Sequence, residues 1–254
     1  MDAQKTLPFP QTTYTTKITF AILLLLLVWR MVFLQGEMSY QHEIIHLCTA
    51  YGLISLVIWL NRNDLQGLNL DKYFIIGFII IGCLYSLMIP LASGIFLGIV
   101  TLINVWALSS NKFCFESAPT HNKQAIIFIL IMQTPLFLKL WLLGNSITWP
   151  NDRTVYEAIF RVNPPFVVFE EVVFRSLLWA FLARANLKGY QIILIQAILF
   201  WLSHLKYYTS DPASFWVWIP FISIILGVIV WRSKSITPSI IGHYLYNLLL
   251  TLIR

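Results

Sequence analysis

Long apolar runs separated by short polar breaks set the layout of the chain. Nine of them, at Ile18–Leu34, Glu43–Leu60, Tyr73–Ile89, Ala92–Leu108, Lys123–Leu143, Pro165–Ala183, Gly189–Leu205, Ser214–Trp231 and Ile236–Ile253, approach the ~20 residues a bilayer-crossing helix requires. The pattern predicts an all-α fold: a polytopic membrane helix bundle of about eight or nine transmembrane helices. Only "PLA" separates the third and fourth runs, which leaves two readings open, a tight hairpin or one long helix kinked at Pro90. Pro135 predicts a kink in the fifth run. The long polar segment "GNSITWPNDRTVYEAIFRVN" has room for an interfacial helix. Helix starts are announced by Asn163 before Pro164–Pro165, Asp211 before Pro212 and Thr237 before Pro238, each a capping residue followed by a proline in the first turn.

Composition turns this pattern into a statement about solvent. Of 254 residues, 58% are apolar and only 11% charged, and the mean hydropathy is +0.75. Soluble domains are usually about 25% charged, so lipid must solvate much of this surface. The first run, "ITFAILLLLLVW", follows Lys5 and Lys17 as a signal peptide would, but no small-x-small cleavage site follows it, and a retained helix is expected.

The formal charge of +6 contains no dense basic run of the kind that binds nucleic acid. With the N-terminus inside, the inner loops hold Lys5, Lys17, Arg62, Lys72, Lys112, Lys123, Arg184, Lys188, Arg232 and Lys234, and the outer side only Arg153, Arg161, Lys206 and Arg254. That asymmetry predicts a multi-pass protein of the cell membrane with a cytoplasmic N-terminus. Cys48, Cys83 and Cys114 have no metal-ligand spacing and read as small buried apolar groups. No internal repeat or soluble domain is visible. Residues 1–150 read as accessory helices and 151–254 as the functional part.

Ionisable groups inside apolar runs are costly and mark candidate sites. "FVVFEEVVFRSLLWAF" holds three of them. Glu171 and Arg175 are four apart and share a helix face, whereas Glu170 is rotated about 100° away. The division predicted is a Glu171–Arg175 ion pair with Glu170 facing a cavity. Phe200 and His204 share a face in the seventh run, as do His243 and Asn247 in the ninth, where Gly242 admits a close neighbour. Two other span cations, Arg30 and Lys139, lie within reach of helix ends and can snorkel to the interface; His46 is near a helix start. A carboxylate that takes a proton from water, an imidazole that orients that water and an amide N–H for an oxyanion are the parts of water-mediated acyl cleavage. Glu170, His204 and His243 also form a possible zinc set, though no H-E-x-x-H helix is present, so no cofactor is firmly implied.

The series Glu170-Glu171-x-x-x-Arg175, Phe200-x-x-x-His204 and His243-x-x-x-Asn247 resembles the CPBP (CAAX protease and bacteriocin-processing, or Abi) family of intramembrane endopeptidases, over about the last ninety residues. The resemblance implies that Glu170 activates water with help from His204, that His243 and Asn247 form the oxyanion site, and that Glu171 and Arg175 support them. Tyr208 stands where some CAAX endopeptidases carry an Asn four residues after the second-motif His. The function expected is hydrolysis of a peptide bond in a membrane-associated or lipidated peptide or a membrane protein. The alternative is a non-catalytic scaffold or bacteriocin self-immunity factor that uses the same polar cavity.

Overall fold

The computed structural model describes residues 13–32, 39–115, 122–143, 159 and 163–252. Over these residues the chain is helical, with no strand. The helices are α1 (Thr13–Val32), α2 (Tyr40–Leu60), α3 (Lys72–Met88), α4 (Leu91–Ser109), α5 (Asn122–Met132), α6 (Thr134–Leu143), α7 (163–184), α8 (Gly189–Leu202), α9 (Ser214–Ser233) and α10 (Thr237–Leu252). Short turns of helix at Gln66–Leu68 and Tyr207–Ser210 join them. All nine apolar runs coincide with helices. Thr15–Val32, Tyr40–Leu60, Leu91–Ser109 and Ser214–Ser233 are long and apolar enough to cross a bilayer; Lys72–Met88, Gln124–Leu138 and Gly189–Leu202 are apolar but shorter. Leu87, Leu91 and Leu102 turn outward at 86, 80 and 68% exposure, a surface suited to acyl chains rather than water. The protein is an integral membrane protein.

The third and fourth runs form a hairpin, not one kinked helix. α3 ends at Met88 and α4 begins at Leu91, with Pro90 as its N-cap. The two helices approach so closely that a Cβ on Gly94 would stand 2.4 Å from the Ser86 carbonyl oxygen. The fifth run breaks at Gln133, immediately before Thr134 and Pro135, as the proline predicts. Asp211 caps as expected: its carboxylate accepts the Ser214 N–H at 3.1 Å and the Ser214 hydroxyl at 2.6 Å. Thr237 differs. Its hydroxyl donates to Asp71 Oδ1 at 2.7 Å and takes no part in capping α10. The cysteines differ too: all are free, but Cys83 and Cys114 are exposed. The proposed interfacial helix before α7 and the Asn163 side chain lie outside the described residues.

α7 sits at the centre because its sequence is apolar and aromatic all round, the mark of a helix buried on every side. Every residue from Val167 to Ala180 is buried. Its middle, Val172–Leu178, is a π-helical stretch, a form that recurs at functional sites. One apolar core joins α1, α2 and α3 to α7 and α8 through Leu23, Ile54, Phe74, Phe169, Phe174 and Ile192. A smaller cluster around Met132, Ile222, Leu226 and Tyr246 ties α5 and α9 to α10, where Gly242 lets Ile129 and Met132 pack closely. A polar clasp fixes α7 and α10 against the first half of the chain. Asp71 caps α3 through the Phe74 N–H at 2.7 Å and also accepts the Ser235 hydroxyl at 2.6 Å. Asn69 accepts the Ile236 N–H at 2.9 Å through its carbonyl, while its side-chain amide donates to the Arg175 carbonyl at 3.2 Å.

Candidate active site

The two glutamates leave α7 in different directions, as 100° of helical rotation requires. Glu171 is fully buried and saturated. One oxygen, Oε1, accepts from His243 Nδ1 at 2.8 Å and faces Arg175 Nη1 at 3.4 Å; the other, Oε2, takes the Ser239 hydroxyl. Arg175 is held in turn by the Ser223 hydroxyl at 3.3 Å and by the Phe200 ring, whose centroid lies 4.2 Å from the guanidinium carbon. The expected ion pair is present. Its work extends to setting the orientation of His243.

Glu170 faces three cationic or imidazole groups from three other parts of the chain. Arg30 Nη2 lies 2.7 Å from Oε1, His204 Nε2 lies 3.8 Å from the same oxygen, and His243 Nε2 lies 3.7 Å from Oε2. The last two separations are too long for direct hydrogen bonds. The half-buried His204 and the buried His243 both pack against Phe200, whose ring centroid is 4.5 Å from that of His204 and 5.9 Å from that of His243.

Fixed acceptors settle the ring tautomers. His204 Nδ1 faces the Phe200 carbonyl at 2.7 Å, and a carbonyl only accepts, so Nδ1 carries the proton and Nε2 accepts from Arg30 Nη2 at 2.9 Å. His243 Nδ1 likewise donates to the Glu171 carboxylate, which turns Nε2 toward Glu170. Two carboxylates and two guanidiniums leave the buried cluster without net charge when both rings are neutral, which lowers the cost of holding it in an apolar setting.

Residues 157–249 match the family described as type II CAAX prenyl endopeptidase Rce1-like. This segment is a CAAX-protease (CPBP) family domain. No curated protein and no solved structure matches the chain. The family is one of intramembrane proteases, and the CPBP domain here contains all six residues singled out in the sequence. The structure brings five of them together: Glu170, Glu171, Arg175, His204 and His243. Asn247 is half-buried one turn beyond His243 on α10, and its side chain makes no hydrogen bond with the described residues, so the amide is uncommitted. Tyr208 is 53% exposed and packs edge-on against Phe215 and Trp216, away from the cluster.

Arg30 is the correction. Near a helix end it could snorkel outward; instead it is 4% exposed and sits against Glu170 and His204, outside the CPBP domain. The signal was present as an imbalance of charge, since Glu170 had no cation in its own segment. Ser239 was also missed, although it precedes His243 by four residues and so shares its face of α10. His46 also supports the site: Trp29 Nε1 donates to its Nδ1 at 2.8 Å, which fixes the α1 turn that carries Arg30 to α2.

The donor set does not suit zinc. Arg30 Nη2 holds the two atoms, Glu170 Oε1 and His204 Nε2, that a metal ion would need, and its charge would repel a dication. Among the described residues no three His, Cys, Asp or Glu side chains gather as a metal site.

Proposed function

We propose that the protein is an intramembrane endopeptidase in which Glu170 activates a water for attack on a peptide bond held at or within the bilayer. The observation that carries this reading is the contrast within the glutamate pair. Glu171 has every oxygen committed, whereas Glu170 keeps Oε2 turned toward His243 Nε2 at 3.7 Å, with an imidazole on either side. A water placed between Oε2 and Nε2 passes one proton to Glu170 as its oxygen attacks the carbonyl carbon. The carbonyl π pair moves onto oxygen, giving a tetrahedral oxyanion. On collapse the C–N bond breaks, Glu170 returns the proton to the leaving nitrogen, and a carboxylic acid and an amine are released. His243, oriented by Glu171, holds the water in place, and His204, oriented by the Phe200 carbonyl, accepts from Arg30 and so helps to position Glu170. The uncommitted Asn247 amide supplies an N–H to the oxyanion.

The substrate class proposed is a membrane-associated peptide or a segment of a membrane protein. Tyr208 stands where some CAAX endopeptidases carry an Asn, which counts against a prenylated CAAX substrate. The test is purified protein in proteoliposomes with a proteome-derived peptide library and products read by mass spectrometry. Wild type should generate products that Glu170→Gln does not, and Asn247→Ala should slow the same products by ~10²-fold, the cost of one oxyanion donor. Equal product sets from wild type and Glu170→Gln would favour the scaffold or immunity reading.

A further inference from the structure

We infer that Arg30 is a catalytic residue of this site, the charged donor to the oxyanion. The inference rests on the hydrolase reading above. His204 has spent its Nδ1–H on the Phe200 carbonyl and accepts from Arg30 at Nε2, and His243 has spent its Nδ1–H on Glu171. Arg175 is fully buried and directed to Glu171 and Ser223. Ser239 gives its hydroxyl proton to Glu171. Among the described residues, Arg30 is the charged group that touches both Glu170 and His204.

Its position suits the task. A single nitrogen, Nη2, lies 2.7 Å from Glu170 Oε1 and 2.9 Å from His204 Nε2. Arg30 therefore holds one oxygen of the base and leaves Oε2 to take the water's proton. A carbonyl attacked by a water on Oε2 lies beside that nitrogen, and Nη2 exchanges its bond to the neutral His204 lone pair for a stronger one to a full negative charge. Charge appears on the carbonyl oxygen only as the bond to water forms, so the contact favours the transition state over bound substrate. The guanidinium thus takes the place a metal cation holds in other hydrolases. It comes from α1, outside the matched domain at residues 157–249, and is kept in register by the Trp29–His46 hydrogen bond at 2.8 Å. The first helix is part of the site, not an accessory to it.

The test uses the full-length protein in proteoliposomes. Products made by wild type and not by Glu170→Gln define a substrate peptide, which then serves for kinetics. Arg30→Ala should lower kcat by ~10²–10³-fold with KM little changed. Added methylguanidinium should restore part of that loss, and Arg30→Lys should fall between Arg30→Ala and wild type. A merely structural brace would not respond to a diffusible guanidinium. A folded Arg30→Ala with wild-type kcat overturns the inference, as does a loss that methylguanidinium leaves untouched; in both cases the hydrolase reading survives. If Glu170→Gln matches wild type, the hydrolase reading fails and the role of Arg30 falls with it. Should Arg30→Ala lose its fold, Arg30→Gln, which keeps an N–H donor without charge, takes its place in the same kcat comparison.

Discussion

Replacing Arg175 with Met removes a cation from the middle of α7 while keeping its length and apolar stem. Arg175 Nη1 lies 3.4 Å from Glu171 Oε1, and both side chains are fully buried. At an effective dielectric of about 20, that separation corresponds to roughly 5 kcal/mol of gross attraction, most of which is offset by the cost of desolvating both ions. The single substitution loses the attraction but leaves the Glu171 carboxylate buried, with only Ser239 and His243 as partners. It also loses the stack on Phe200 at 4.2 Å. Breaking a buried pair from one side typically costs about 3–5 kcal/mol. At about 2–4 °C per kcal/mol for a chain of this size, Tm should fall by roughly 6–20 °C. The double variant Glu171→Gln/Arg175→Met removes both charges and should be more stable than Arg175→Met alone, with a coupling of about 0.5–3 kcal/mol. Thermal unfolding in detergent, followed by tryptophan fluorescence, reads all four corners of the cycle. Strict additivity, or a Tm for Arg175→Met within 2–3 °C of wild type, would refute the claim that this pair is a coupled buried unit.

Three further outcomes follow from other parts of the fold. Asp71→Ala removes the α3 cap and the acceptor shared by Ser235 and Thr237, and should cost about 2–3 kcal/mol in the same unfolding assay. Gly94→Ala places a Cβ 2.4 Å from the Ser86 carbonyl oxygen and should destabilise the hairpin by about 1–3 kcal/mol, whereas Gly77→Ala, which meets nothing within 4 Å, should be neutral or slightly stabilising; equal behaviour of the two would count against the hairpin geometry. Because Arg30 holds the atoms a metal would need, a strong zinc chelator should leave the proteoliposome cleavage rate unchanged, and inhibition reversed by added zinc would overturn the charge arrangement described.

How much of this was legible beforehand depends on the range of each interaction. Pairs within one helix could be read directly: Glu171 with Arg175, Phe200 with His204, and Glu170 turned away from its neighbour all follow from 3.6 residues per turn. The hairpin at Pro90 and the break at Gln133 are likewise local, set by prolines in sequence. Contacts between distant helices were harder, because periodicity gives a face and not its partner. Arg30 shows this best. In the last turn of α1 its long stem could reach either outward to the interface or inward to a carboxylate, and only the packing of α1 on α7 decides. Thr237 is similar: its sequence reads as a cap, but the Asp71 carboxylate, brought close by folding, is the better acceptor. Cys83 fails for another reason, since a lipid-facing position and a core position are equally apolar.

The decisive measurement compares membranes from cells that make wild type or Glu170→Gln at equal abundance, with newly formed peptide termini enriched and quantified by mass spectrometry. Peptide ends present with the glutamate and missing with the glutamine, from two proteins of equal thermal stability, are the predicted result. Indistinguishable sets of termini would contradict the assignment of Glu170 as the group that takes the proton from water.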